Sequence, residues 1–303
     1  MRELEFTVRK EDEGLGLRKL LKKRFKFSSR LLARLSAQKR VFLNGVPLQG
    51  YMKPVCGDTI SALLPEERSF FPEADIPIHP IYEDADILVI DKQPGVTVHP
   101  TRLHQDETIA NGLMKYMRIN GTPFKIRFVN RLDMDTSGLL IVGKNSNAQD
   151  NVVRQMQRKT VQKIYTALVH GIPEHDEFTV DLPIGRPDPQ SPVRKVLDEA
   201  RGGKPSVTHV QTLERFSSGY ALVKLYLETG RTHQIRVHLT HLGHPLCGDT
   251  LYGGESPGII SRQALHAGAL SFRHPVSDKI LNLTSPLPGD FLKAIEAIRN
   301  SGR

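Results

Sequence analysis

Residues 128–145, FVNRLDMDTSGLLIVGKN, constrain the 303-residue chain more than any other stretch. The part from Asn130 to Gly138 is polar and carries an Arg, two Asp, a Thr and a Ser, whereas Leu139, Leu140, Ile141 and Val142 form a bare apolar run closed by Gly143 and Lys144. Such a run between breakers predicts a buried strand. A polar, glycine-terminated loop feeding a buried strand holds a reactive side chain still at the edge of a cleft, because loops carry function and strands supply rigidity. Asp133 is the candidate for that side chain. Asp135 is read as a turn residue that bonds its own backbone.

Gly138 to Asn145, GLLIVGKN, nearly spells a phosphate-binding P-loop. Asn145 stands where a Ser or Thr hydroxyl should hold magnesium, and the intervening residues are apolar. A loop that wraps phosphate with backbone N–H groups cannot also be a buried strand, so no nucleotide site is expected here.

With 39% apolar and 25% charged residues and no low-complexity tract, the chain should be globular, with a large domain and a small one. Cys56 and Cys247 lie far apart without C-x-x-C spacing, so neither a disulfide framework nor a zinc site is suggested, and a reducing, cytoplasmic location fits. No apolar run approaches the roughly 18 residues of a spanning helix. A net charge of +9 implies a polyanionic partner, and the absence of Trp anchors on a basic amphipathic helix argues against membrane.

The charge is concentrated. Residues 18–40 hold ten basic side chains (Arg18, Lys19, Lys22, Lys23, Arg24, Lys26, Arg30, Arg34, Lys39 and Arg40) and no acidic one. Leu17, Leu20, Leu21 and Phe25 fall at helical spacing, and Ser28 or Ser29 can cap a second helix presenting Leu31, Leu32 and Leu35. Val41 to Val46 is a hairpin turning at Asn44-Gly45, and Gly57-Asp58-Thr59-Ile60 opens a further strand. Residues 65–79, rich in Pro and mixed charge, read as a linker.

Beyond it, residues 87–92 predict a buried strand, residues 108–117 and 145–158 helices, and residues 163–171 an alternating strand. Residues 183–205 read as a long surface loop. Two strands joined at Ser217-Ser218-Gly219 span residues 208–216 and 220–229. After Gly230, Thr232 can cap a helix whose buried face carries Ile235, Leu239 and Leu242, and whose N-terminus is made electropositive by Arg231, His233 and Arg236. The neighbouring His238, His241 and His244 lack the Cys or carboxylate ligands that a zinc site needs. The last helix covers residues 291–298.

Asn130-Arg131-Leu132-Asp133 with Thr136-Ser137-Gly138 resembles the signature of the RluA-type pseudouridine synthases. In that family His usually stands where this chain has Asn130, which keeps a donor and an acceptor but cannot titrate. YEDADILVIDKQPGVTVHP, Lys163-Ile164-Tyr165, TGRTHQIR, PLCGDTLYG and Leu265-His266-Ala267 continue the family pattern in order. The block from Gly14 to Leu64, with FLNG and GDTI, resembles an RNA-binding module shared with a small-subunit ribosomal protein.

The resemblance implies an α+β fold in which a small α/β RNA-binding module (1–64) and a linker (65–79) precede a catalytic domain (80–303) with a mixed, largely antiparallel sheet. It implies a cofactor-free monomer that isomerises uridines, most simply in large-subunit ribosomal RNA, with transfer RNA as the second candidate. Asp133, Tyr165 and Arg236 match the family's catalytic residues. Arg131, Arg231 and His233 in the cleft, and Lys22, Lys23, Arg24, Arg30 and Arg34 on the module, are the candidate RNA contacts. Two rivals are a glycoside hydrolase, which needs two facing carboxylates, and a non-catalytic ribosome-assembly protein, which leaves most of the chain without a purpose.

Overall fold

A computed structural model describes residues 2–101 and 105–301. The basic block folds because its leucines, rather than its charges, repeat at helical spacing. Helices α1 (Leu17–Phe25) and α2 (Ser29–Ala37) turn Leu20, Leu21, Phe25, Leu31, Leu32 and Leu35 inward. Ser28 caps α2, its Oγ accepting from the Leu31 amide at 3.2 Å. The inward faces cover a sheet of β1 (Arg2–Thr7), β2 (Val41–Leu43), β3 (Val46–Pro47) and β4 (Thr59–Leu64), antiparallel in the order β1-β4-β2-β3. Asn44 and Gly45 both have positive φ at the β2–β3 turn. The Asn44 side chain then donates to Asp58 and accepts from the Thr59 amide, both at 2.8 Å, joining FLNG to GDTI.

The charges on this block serve a second purpose. Asp12 is only 1% exposed. Its Oδ1 accepts from Lys23 Nζ at 3.0 Å and its Oδ2 from Arg24 Nε at 2.9 Å and from the Arg9 amide. Burial raises the carboxyl's pKa, but these hydrogen bonds outweigh it and bring it down to about 2.

Residues 65–78 form no helix or strand, and β5 (His79–Glu83) begins one residue before the expected end of the linker, yet the stretch packs along α3 (Ile109–Asn120). Asn111 Nδ2 donates to Pro72 O at 2.8 Å, and Ile76 leaves no room for a Cβ on Gly112. The module is also fastened directly. Arg2 pairs with Asp86 at 3.0 Å, Asn147 Nδ2 donates to Phe25 O at 3.2 Å, and Lys26 pairs with Asp278 at 2.5 Å.

The large sheet adds β6 (Ile87–Lys92), β7 (Arg127–Phe128), β8 (Ser137–Gly143), β9 (Gln162–His170), β10 (Glu177–Asp181), β13 (Val207–Phe216), β14 (Tyr220–Leu227), β15 (Leu265–Arg273) and β16 (Ile280–Thr284). Its order is β10-β13-β14-β9-β15-β8-β6-β5, with β7 on β8 and β16 on β15. β8 and β15 run parallel and the other ladders are antiparallel. The expected mixed, largely antiparallel sheet is therefore present.

Period-two alternation sends Leu88, Ile90, Leu140 and Val142 to one face under α3, and Ile87, Val89, Leu139 and Ile141 to the other under α4 (Ser146–Gln157). α5 (Gln234–His241) adds Ile235 and Leu239 to the first face, and α6 (Gly289–Ser301) packs Phe291, Ala294, Ile295 and Ile298 against Leu168 of β9. Covered on both sides, β8 is buried over its whole length.

Two expectations are revised here. Residues 183–205 are not wholly irregular, since Ile184–Gly185 and Lys195–Val196 (β11 and β12) form a short hairpin. Leu242 ends α5 and is 41% exposed, because the helix stops before it can reach the core.

Candidate active site

Asp133 sits in the loop between β7 and β8, and the fold pins that loop from several sides. Gly138 has φ 110°, and a Cβ there would lie 2.3 Å from Ala267 O on the parallel neighbour β15, so only glycine fits. Asn130 spans the loop base, its Oδ1 accepting from the Ile141 amide at 2.8 Å and its Nδ2 donating to Leu139 O at 3.2 Å. Both uses need only an uncharged donor–acceptor pair, which accounts for Asn at this position. Beneath the loop, buried Lys92 Nζ donates to Gln93 O, Met134 O and Thr136 O at 2.7–2.9 Å. Burial lowers its pKa to about 7. Arg262 Nη1 reaches Asp135 O at 2.9 Å while its fork holds Asp290.

The near-P-loop is a strand. Lys144 Nζ donates to Glu83 and to Asp84 O, and Asn145 caps α4 by accepting from the Ala148 amide at 2.9 Å.

The second half of the site comes from the start of α5. Thr232 does not cap the helix. The helix begins after His233, whose φ of 58° is left-handed, and Gln234 supports the turn by accepting from the Arg231 amide at 3.0 Å and donating to Val207 O at 2.9 Å. Arg236 then projects toward the loop. Its Nε and Nη2 form a two-point pair with Asp249 at 2.7 and 2.8 Å, and its Nη1 donates to Asp133 Oδ2 at 3.2 Å. Burial opposes the guanidinium's charge, but the two carboxylates, Asp249 foremost, outweigh it and raise its pKa. The Tyr252 ring lies under the guanidinium at 4.9 Å.

Asp133, His233, Arg236 and Asp249 line an open cleft of about 1250 Å³. Tyr165 reaches it from β9, nearly buried, and burial together with the Asp133 charge raises its phenol pKa. Lys163, two residues earlier on the same strand, donates to Thr229 O at 3.0 Å, and burial lowers its pKa to about 8. Arg131 and Arg231 are exposed on the cleft wall, and His99 meets Phe128 edge to face at 4.5 Å there.

Asp133, Tyr165, Arg236, Arg131, Arg231 and His233, singled out in the sequence, thus share one cleft. The module residues are a different matter. Arg24 is held by Asp12 and Glu11, Lys23 by Asp12, and Arg34 by Glu67, so these three answer charges inside the protein. Among the described residues Lys22 pairs with no acid and donates to Ser29 Oγ at 2.8 Å, and Arg30 is exposed. Missed by sequence reading were Asp249 and Tyr252, which lie in the PLCGDTLYG motif without an assigned part, and Lys92 and Arg262 beneath the loop.

His238 bonds Thr208 Oγ1 and Leu182 O, and His244 bonds His170 O, so neither is arranged as a metal ligand. Among the described residues Asp84, Asp86 and His274 have metal-ligand spacing. Asp86 there already pairs with Arg2 and Asn145, and Asp84 with Tyr82 and backbone amides, so the cluster is compensated from within. No helix among the described residues is long and apolar enough to cross a membrane.

The sequence matches the RNA pseudouridylate synthase family over residues 86–241. An uncharacterized RNA pseudouridine synthase of Bacillus subtilis is 42% identical over 273 residues, 87% of each chain. Ribosomal large subunit pseudouridine synthase D of Pseudomonas aeruginosa is 41% identical over 238 residues, covering 74% of this chain and 73% of its own. The solved structure of human RNA pseudouridylate synthase domain containing 1 superimposes with a TM-score of 0.57 at 30% identity, over 72% of this chain and 86% of that one. On its sequence and its fold alike, the chain belongs to the RluA-type RNA pseudouridine synthases, isomerases that act on RNA.

Proposed function

We propose that the chain converts specific uridines of large-subunit ribosomal RNA to pseudouridine, in the cytoplasm and without a cofactor, and that Asp133 is its reacting carboxylate. The observation that carries the assignment is the Arg236–Asp133 contact at the floor of the large cleft. The reaction breaks the bond between ribose carbon one and uracil nitrogen, turns the freed ring, and rejoins it through carbon five. It needs neither redox change nor external energy. A carboxylate starts it by attacking the ribose or by removing a ribose proton, and both courses require Asp133 ionised in a partly dry site. Arg236 donates to Asp133 Oδ2, and Asp249 fixes the direction in which the guanidinium points.

Tyr165 stays a neutral phenol, so it packs against the freed uracil and offers a hydrogen bond rather than serving as a strong base. The target uridine leaves its stack to enter the cleft. Arg131, Arg231 and His233 border the space it enters, and Lys22 and Arg30, which no acid opposes among the described residues, are left to meet phosphate farther along the RNA. Asp249, which also lines the cleft, is fully engaged by Arg236 and so is not free to act as the facing carboxylate that a glycoside hydrolase would set opposite Asp133. Pseudouridine mapping of total RNA from a deletion strain tests the substrate. Loss of large-subunit sites is expected, whereas loss confined to transfer RNA overturns the ribosomal assignment.

A further inference from the structure

His233 combines an uncommon backbone with a specific ring environment. A left-handed φ is rare outside glycine and persists where the surroundings over-determine it. Tyr252 Oη accepts from the Arg194 amide at 2.9 Å, which leaves its own hydrogen to be donated, and His233 Nδ1 lies 2.9 Å away. The two rings meet edge to face at 5.7 Å. An imidazole nitrogen that accepts a hydrogen bond carries no proton in the neutral ring, so the proton resides on Nε2.

Nε2 lies 3.8 Å from Asp133 Oδ2, the same oxygen that Arg236 contacts. Among the described residues no hydrogen bond reaches Oδ1. The charged groups facing the ring are Asp133, Arg236, Arg194 and Asp249. Burial, helped by the two guanidiniums, lowers its pKa against the pull of the carboxylates.

We propose that His233 is a positioning residue, locked as the Nε2–H tautomer by the Arg194–Tyr252 relay, and that with Arg236 it anchors Oδ2 of Asp133 and leaves Oδ1 as the reacting oxygen. The inference rests on Asp133 being the reacting carboxylate. The 3.8 Å gap closes to a hydrogen bond when RNA fills the cleft, as catalytic contacts commonly tighten on substrate binding.

Nitrogen-15 spectra of histidine-labelled protein test the lock, with His233→Gln assigning the signal. Wild type is expected to show a neutral ring protonated at Nε2, and Tyr252→Phe a mixture of tautomers. A wild-type ring protonated at Nδ1 overturns the inference. Single-turnover conversion of unmodified large-subunit ribosomal RNA tests the consequence. His233→Leu should slow roughly a hundredfold, and His233→Gln, whose amide can donate from the same place, should recover most of that loss. Asp133→Asn in the same assay separates the two claims. Turnover by it refutes the reading of Asp133, whereas a dead Asp133→Asn beside a wild-type rate for His233→Leu refutes the positioning role alone. Should His233→Leu fail to fold, the Tyr252→Phe spectrum decides.

Discussion

Asp12 and Asp133 are both carboxylates gripped by an arginine, one in the N-terminal module and one in the cleft, and they differ in how far they are satisfied. Asp12 is nearly inaccessible and has partners on both oxygens. Asp133, with a side chain 21% exposed, is held through Oδ2 and presents Oδ1 to the cleft. A saturated carboxylate is structural, because every interaction it can make is already made in the folded chain. A half-satisfied one, with an oxygen left over, is available for chemistry.

The largest expected effect follows from removing the unsatisfied charge. Asp133→Asn should lower single-turnover rate by about 10³-fold or more while thermal stability and RNA affinity stay near wild type, since the change is nearly isosteric and phosphate contacts elsewhere dominate binding. Next in size is Arg236→Lys, expected to lose about 10²-fold in rate, because an ammonium cannot serve Asp249 and Asp133 with one planar fork. Asp135→Asn should cost far less than either, and a dead Asp135→Asn would move the reacting role to that residue.

Which parts of this contrast could be read in the sequence follows from range. The loop and strand at residues 130–143, the Asn44-Gly45 hairpin, a serine cap at Ser28 or Ser29 and the helix periods depend on neighbours, so they were legible. The grip of Asp249 on Arg236 and the Tyr252 contact with His233 form only when a loop after α5 folds back, and Lys92 meets its carbonyls across 42 and 44 residues. Nothing local announces those contacts. The basic block shows the same limit from the other side: it holds ten cations and no acid, but Glu11 and Asp12 before it and Glu67 well after it pair with Arg24, Lys23 and Arg34. Charge counted along the chain overstates charge left free after folding.

Two smaller effects sharpen the comparison at the module. Asp12→Asn should lower the unfolding midpoint by roughly 5 °C at pH 7. The folded carboxyl, at about 2, lies below its unfolded value near 3.9, so its stabilisation is complete above that value and disappears as pH falls toward 2. Wild type and Asp12→Asn should therefore converge in stability over that range, and a gap that persists at pH 2 would show that the pair does not stabilise through ionisation. For RNA binding, Lys22→Ala and Arg30→Ala should each reduce the salt slope by about one, whereas Arg24→Ala should leave it unchanged. A slope that responds to Arg24 alone would mean that the Asp12 pairing opens on RNA.

The most direct test sets the two carboxylates side by side. Single-turnover conversion of one large-subunit ribosomal RNA transcript is measured for Asp133→Asn and Asp12→Asn below both unfolding midpoints, with a melting curve for each. The expected result is a double separation, in which Asp133→Asn melts like wild type and makes no pseudouridine while Asp12→Asn melts early and turns over normally. Appreciable pseudouridine from Asp133→Asn, or loss of turnover in folded Asp12→Asn, would contradict the assignment of the reacting carboxylate.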